Sequence, residues 1–408
     1  MRFSRTWPGV LFLLSILIFS LSLCTNQEAK EELAYWNHSD TVRYMGIETC
    51  AGCHRDIAES FQHTGMGLSY EHAHRGKSIA DFENHPPVYD SVLDYFYRAY
   101  WKSDTLMVEE FRLDNQDTIH KITQSIDYII GSGQHTQSNI FQIDNHFFQA
   151  PITWYAQKGM ADLPPGYEGG ENSRFSRIIG LECMSCHNAM PTEFVMGSEN
   201  KFKNVPQGID CERCHGPGSA HVAKILRGDL TDTSKYIDYS IVNPKKLSAQ
   251  LRFEICQRCH LQGNAVLQPD KSFLDFRPGM ILRDIMDIYL PRYENDHSFI
   301  MASHVDRFTQ SKCYQSAPQT FDCTSCHNPH KSVRLTGTES FNNSCMNCHA
   351  GPEVCSEKPA KKALHENNCV GCHMPNPGAA IFHTSLSTTI IFEKITIPFR
   401  AKKKYLLD

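Results

Sequence analysis

Little in this chain is built for a conventional apolar core. Hydrophobic residues make up 41% of its 408 positions, with only 4 Trp, modest for a length that could hold two or more domains. Positive charge is not in excess: 40 Lys and Arg stand against 45 Asp and Glu, a net charge of −5. Nothing therefore favours a nucleic-acid partner. Long apolar runs are also scarce. Val10 to Leu23 is almost wholly apolar, but its roughly 14 residues are short for a comfortable membrane span.

Cysteine and histidine are what the chain has in quantity, 17 and 21 residues. Fourteen of the cysteines fall into seven copies of one pattern, two cysteines three apart with histidine directly after. The copies are Cys50/Cys53/His54, Cys183/Cys186/His187, Cys211/Cys214/His215, Cys256/Cys259/His260, Cys323/Cys326/His327, Cys345/Cys348/His349 and Cys369/Cys372/His373. Chance would give about 0.04 copies at this composition. The spacing is that of c-type haem attachment: both thiols add to the vinyl groups of one porphyrin, and the histidine binds its iron. Zinc is the competing reading, but a cysteine and a histidine side by side in every copy would crowd a tetrahedral site. Seven covalently attached haems would supply apolar volume that the side chains lack, so the cofactors are expected to form much of the core.

Each iron then needs a second axial ligand. His330 follows His327 by three residues, a span of at most about 10 Å that must also round the porphyrin edge. It is therefore expected to reach a neighbouring haem. Fourteen histidines lie outside the motifs. The candidate set is His63, His135, His221, His304, His330, His365 and His383, with His297 in reserve. His135 follows the glycine turn of Gly131-Ser132-Gly133, where a ligand can approach closely. His38, His72, His74, His85, His120 and His146 are read as surface or structural. Bis-histidine iron would be low in potential, since methionine ligation raises it.

Arg2 and Arg5 followed by the apolar run read as an export signal over residues 1–24. Leu21-Ser22-Leu23-Cys24 resembles a bacterial lipobox, with Cys24 the lipidated residue; Leu23 stands where a small residue is usual. Bacteria attach c-type haem outside the cytoplasm, so the expected location is the periplasm or cell surface, lipid-anchored. Residues 25–45 read as a flexible tether. Cys313 and Cys355 remain. In an oxidising compartment they are expected to form a disulfide, contributing about 3–4 kcal/mol on the chain-entropy model; two unpaired buried thiols are the alternative.

The first motif stands alone in a segment of residues 46–85, and the other six crowd into 171–383. Between them, 86–170 reads as a small antiparallel β insert. Leu106 to Leu113 alternates as a half-buried strand does, and Asp144-Asn145 sits between apolar runs as a hairpin turn. Gly216-Pro217-Gly218-Ser219 reads as a turn with Ser219 capping a helix. Residues 384–408 form a tail. The expected fold class is mainly α with long irregular loops and a haem-dominated core.

The sequence resembles the multihaem cytochromes c that include the tetrahaem carrier of ammonia oxidisers, hydroxylamine oxidoreductase and octahaem tetrathionate reductase. The matching residues are Cys50 to His54 with Ser60 to His63, Ile130 to His135, Cys211 to His221, Ser311 to Cys313, Cys323 to His330, and Cys369 to Pro375. The resemblance implies His221 and His330 as distal ligands of neighbouring haems, and stacked haem pairs. No motif carries Lys in place of its histidine, as pentahaem nitrite reductases do, and Thr388 and Thr389 stand where many relatives have a further histidine. Activity is thus not carried over. Electron transfer to or from a redox protein or membrane complex is the favoured function. The alternative is an oxidoreductase acting on a small nitrogen or sulfur oxyanion at one open haem, with that of His260 the first suspect.

Overall fold

The computed structural model describes residues 35–261, 263–289, 304–350 and 368–374. It corrects the expected fold class. Helix accounts for 29% and strand for 24% of the structure, with several antiparallel sheets, so the protein is not mainly α. The reason is the stretch between the first two motifs. Its Val, Ile, Thr and aromatic residues favour a pleated, half-buried surface, and they build two whole sheets.

One sheet runs β2 (Val88–Asp90), β3 (Tyr95–Lys102), β4 (Thr105–Asp114), β5 (Asp117–Ser125) in sequence order. The other joins β1 (Tyr70–His72), β6 (Tyr128–Ile130), β7 (Thr136–Ile143), β8 (His146–Tyr155) and β10 (Arg177–Ile178), with β9 (Met160–Asp162) also on β8. The second sheet thus draws strands from both sides of the expected insert. Tyr97, Leu106 and Val108 of the first sheet share one core with Ile129, Phe141, Ile152 and Trp154 of the second. Burying each such side chain contributes about 1.5–3 kcal/mol, so this part of the chain holds an apolar core of its own side chains. The turn between β7 and β8 is Asp144-Asn145, both at positive φ (49° and 64°), the geometry that matches the twist of a two-residue hairpin.

Helices among the described residues are short: α1 (Ile47–Ala51), α2 (Arg55–Gln62), α3 (Leu181–His187), α4 (Glu212–His215), α5 (Ser219–Leu226), α6 (Ala249–His260), α7 (His304–Thr309), α8 (Lys312–Ser316), α9 (Thr338–Met346) and α10 (Cys369–His373). None is long and apolar enough to cross a membrane. Two small hairpins, β11 (Glu193–Phe194) with β12 (Phe202–Asn204) and β13 (Asn264–Leu267) with β14 (Met286–Tyr289), lie among them. Ser219 does not cap α5 as expected. It is the first helical residue, and its hydroxyl accepts the Arg43 backbone N–H at 2.9 Å. Residues 35–45, the end of the stretch read as a tether, are docked: Asn37 is fully buried and donates to the His215 carbonyl at 2.8 Å, and Met45 N donates to Glu212 at 2.9 Å. Cys24, His297, Cys355, His365, His383 and the 384–408 tail lie outside the described residues.

Candidate haem-binding site

The motifs sit at helix ends. In a helix, positions i, i+3 and i+4 share a face, so each thiol pair and its histidine project together. α6 carries Cys256, Cys259 and His260 in its last turns, and its start is capped by Ser248 Oγ accepting from Leu251 N at 3.3 Å. Cys323 opens a 3₁₀ turn capped by Asp322, which accepts from Thr324 N at 2.7 Å. Asn368 caps α10, accepting from Val370 N at 3.0 Å.

Side chains in and beside the motifs tie one to another. Buried Glu212 accepts the backbone N–H groups of Met45 (2.9 Å), Gly46 (2.8 Å) and Gly218 (2.7 Å). That one carboxylate fixes the approach to Cys50 against the motif of Cys211. Arg213 donates to the Asn188 carbonyl at 2.8 Å, tying in the motif of His187. Arg258 donates to Cys186 Sγ at 3.3 Å. Arg252 on α6 pairs with Asp322, one residue before Cys323. Asn342 Oδ1 accepts from Cys369 N at 3.1 Å. The thiols follow the same adjacency: Cys50 meets Cys211, Cys186 meets Cys259, Cys256 meets Cys323 and Cys345 meets Cys369. None of these tying residues was singled out by the sequence analysis. The signal was present, since Glu212, Arg213 and Arg258 lie inside the motifs, but only contact reveals what they bridge.

The attachment thiols are not all equally covered. Cys53, Cys183, Cys348 and Cys372 are exposed, while their partners Cys50, Cys186, Cys345 and Cys369 are half-buried. In these four motifs the sheltered thiol is the one that meets a neighbouring motif, and the other faces outward. The reason is the length of the helical pieces. Two thiols three residues apart are separated by about 4.5 Å along the axis, so a turn packed against one neighbour covers only one of them. Cys211 with Cys214, Cys256 with Cys259 and Cys323 with Cys326 are half-buried at both positions. The third, fourth and fifth motifs are thus the interior ones, and Cys53 and Cys348 belong to motifs at the surface.

The histidines fall into two groups. His215 and His330 stack with ring centroids 6.0 Å apart and planes at 11°. His260 and His304 have centroids 5.3 Å apart with planes at 86°. His54 lies within electrostatic reach of both His215 and His221, and His135 of His304. His63 is exposed at the end of α2, and His54, His349 and His373 are exposed beside Cys53, Cys348 and Cys372. Cys313 is exposed on α8.

Ring tautomers sort these residues further. His215 Nδ1 donates to the Val242 carbonyl at 2.9 Å, which leaves Nε2 with its lone pair. Ser240 gives its own proton to Asp238 at 2.6 Å, so His221 Nδ1 donates to Ser240 Oγ at 3.1 Å and its Nε2 is likewise available. By contrast, His38 Nε2 donates to the Pro278 carbonyl at 2.7 Å, His74 Nε2 meets Glu71 at 3.0 Å and His120 Nε2 meets Glu110 at 2.8 Å. His85 has both nitrogens engaged, with Pro86 O and Ala161 N. His135 Nδ1 lies 2.7 Å from the Gln157 amide, whose orientation decides the tautomer.

The donor set fits haem. Burial holds His187, His215, His221, His304, His327 and His330 below the usual imidazole range, and His260 is lowered to about 4, by burial and then by His304. A neutral imidazole is the form that ligates metal. Burial also pushes the Cys214 thiol up to about 12 and the Cys326 thiol up to about 11. Yet His187, His304 and His327 expose surface. Thioether attachment and axial ligation are thus chemistry these residues can perform.

Two families match parts of the chain. "Cytochrome c554 and c-prime" matches residues 167–216, which contain the second and third motifs. "Doubled CXXCH motif" matches 317–354, which contain the fifth and sixth. No curated protein matches the chain. Among solved structures, the outer cell wall cytochrome OcwA is 19% identical, covering 81% of this chain and 67% of its own, at a TM-score of 0.37. The undecahaem cytochrome from the S-layer of Carboxydothermus ferrireducens is 16% identical, covering 83% and 52%, at a TM-score of 0.39. This chain thus spans about half the length of the second. With its repeated attachment motifs and these two family matches, the chain is a multihaem c-type cytochrome.

Proposed function

We propose that the protein is an extracytoplasmic heptahaem electron-transfer cytochrome, carrying electrons between closely packed haems to or from a redox protein or membrane complex. The observation that carries this reading is the pairing of motif histidines with histidines from elsewhere in the chain, His215 with His330 and His260 with His304. Each of these pairs would hold a haem iron between two imidazoles, and such a haem would supply one-electron chemistry. Contacts between motifs support short steps between haems. The haem groups supply the redox chemistry; the polypeptide sets their spacing, ligation and access to solvent.

The oxyanion-reductase alternative needs an open iron. Its first suspect, the haem at His260, is the one that faces His304. Pyridine haemochrome analysis and intact mass of the purified holoprotein are expected to give seven haems. Electron paramagnetic resonance of the oxidised protein is expected to give low-spin signals only. A high-spin signal that shifts with nitrite or hydroxylamine would instead establish the enzyme. The apolar run and Cys24 support export and a lipid anchor, read by lipid labelling of the wild type against Cys24→Ser.

A further inference from the structure

Two guanidinium groups lie where motifs meet, and among the described residues neither has an acidic partner at ion-pair distance. Arg213 and Arg258 hold the same place in their motifs, directly before the second cysteine, where the other five have Gly52, Ser185, Ser325, Asn347 and Gly371. Arg258 is only 9% exposed. It donates to the Phe273 carbonyl at 2.6 Å and to Cys186 Sγ at 3.3 Å. Arg213 donates to the carbonyls of Asn188 at 2.8 Å and Met184 at 3.3 Å. Among the described residues no carboxylate meets either at ion-pair distance, whereas Arg98, Arg112, Arg174, Arg252 and Arg277 each have one. Glu182 and Asp210 act on them only from beyond contact, and the two cations disfavour each other.

A buried charge without a counter-ion is strongly unfavourable. Carbonyls and a sulfur satisfy some of the five N–H donors that each guanidinium carries, but they neutralise nothing. The complementary group is a planar, two-oxygen anion that the fork can grip. The described residues offer none here, and every haem brings two propionates.

We propose that Arg213 and Arg258 form a carboxylate-binding site for a haem propionate where the motifs of His187, His215 and His260 converge, and that their charge raises that haem's reduction potential. This rests on reading the motifs as haem attachment sites. Reduction removes one positive charge from the iron, so a nearby fixed cation favours the reduced state.

Potentiometric titration of the holoprotein tests it, after haem content has been measured on the wild type. Absence of haem would defeat the underlying reading; the outcomes below bear on this site alone. In Arg258→Gln and Arg213→Gln, one wave is expected to move to lower potential and to gain pH dependence near neutrality, as the released propionate takes up protons. Arg98→Gln, in the β sheet, leaves every wave in place. Full haem content with unmoved waves overturns the proposal. If Arg258→Gln loses haem, Arg258→Lys decides: recovery shows a need for the charge, and continued loss overturns it. Nitrite and sulfate separate the two sources of an anion. A wave in the wild type that moves with either salt, and only when Arg258 is present, assigns the site to a free oxyanion and overturns the propionate.

Discussion

The two histidine pairs differ in one respect that a spectrometer can read. An imidazole donates π density perpendicular to its plane. Near-parallel rings, as at His215 and His330 (11°), add their effects along one direction of the iron; near-perpendicular rings, as at His260 and His304 (86°), cancel them. If each pair holds one iron, as proposed, the oxidised protein is expected to show a rhombic low-spin signal from the iron at His215 and a strongly axial one from that at His260. His330→Ala should convert one haem to high spin and remove the rhombic signal while leaving the axial one. Loss of the axial signal instead would show that the pairs are assigned the wrong way round. Asp210 gives a second test at this scale. Burial, then Glu212, raise its carboxyl to about 7 from an ordinary 3.8. A raised carboxyl pKa means the folded state holds the proton longer than the unfolded chain. Its contribution is therefore present below about pH 4 and is lost as pH rises to about 7. Asp210→Asn is expected to flatten the fall in stability across that window, measured by denaturant unfolding at several pH values.

At the scale of elements, local geometry aims the ligands. Gly131 opens the turn that carries His135, at a φ of 106°, and a Cβ there would strike the Thr136 carbonyl. Gly131→Ala is expected to cost more than about 1 kcal/mol and to displace His135, seen as a lower midpoint in denaturant. Glu212 acts between elements. Replacing it with Gln keeps the shape but removes the charge that three backbone N–H groups share. A loss of about 1–3 kcal/mol is expected, again by denaturant unfolding; an unchanged midpoint would mean that the link between the first and third motifs is held elsewhere. The β4 strand and the Asp144-Asn145 turn were legible beforehand because their signals are local: alternation of period two, and residues tolerant of positive φ. The extent of the sheets was not. β1 and β10 join from outside the expected insert through pairings with β6 and β8, and no local pattern encodes a distant partner.

Across the whole molecule, the motif of Cys256 and His260 adjoins three other motifs among the described residues. Its α6 helix touches the motif of Cys186 through Arg258 and that of Cys323 through Arg252 and Asp322, and Cys214 of the third motif lies close to Cys256. Cys256→Ala with Cys259→Ala is therefore expected to lower the haem-to-protein ratio by more than one. The same change at Cys369 and Cys372, tied to a described partner through Asn342 and Cys345, should lose about one. Equal losses would show that the motifs mature independently. The sequence by itself determined the chemistry, because attachment needs two thiols and an imidazole within five consecutive residues, and that spacing is written in the chain seven times. Only the tertiary structure decided which histidines meet, which motifs adjoin, and that Cys53 and Cys348 face outward while Cys214 and Cys259 do not. His215 and His330 are far apart along the chain and 6.0 Å apart in space; such closeness depends on how loops between short helices pack, which no spacing rule contains. The balance of helix and strand was decided there too, since strand pairing is a property of two segments and not of one.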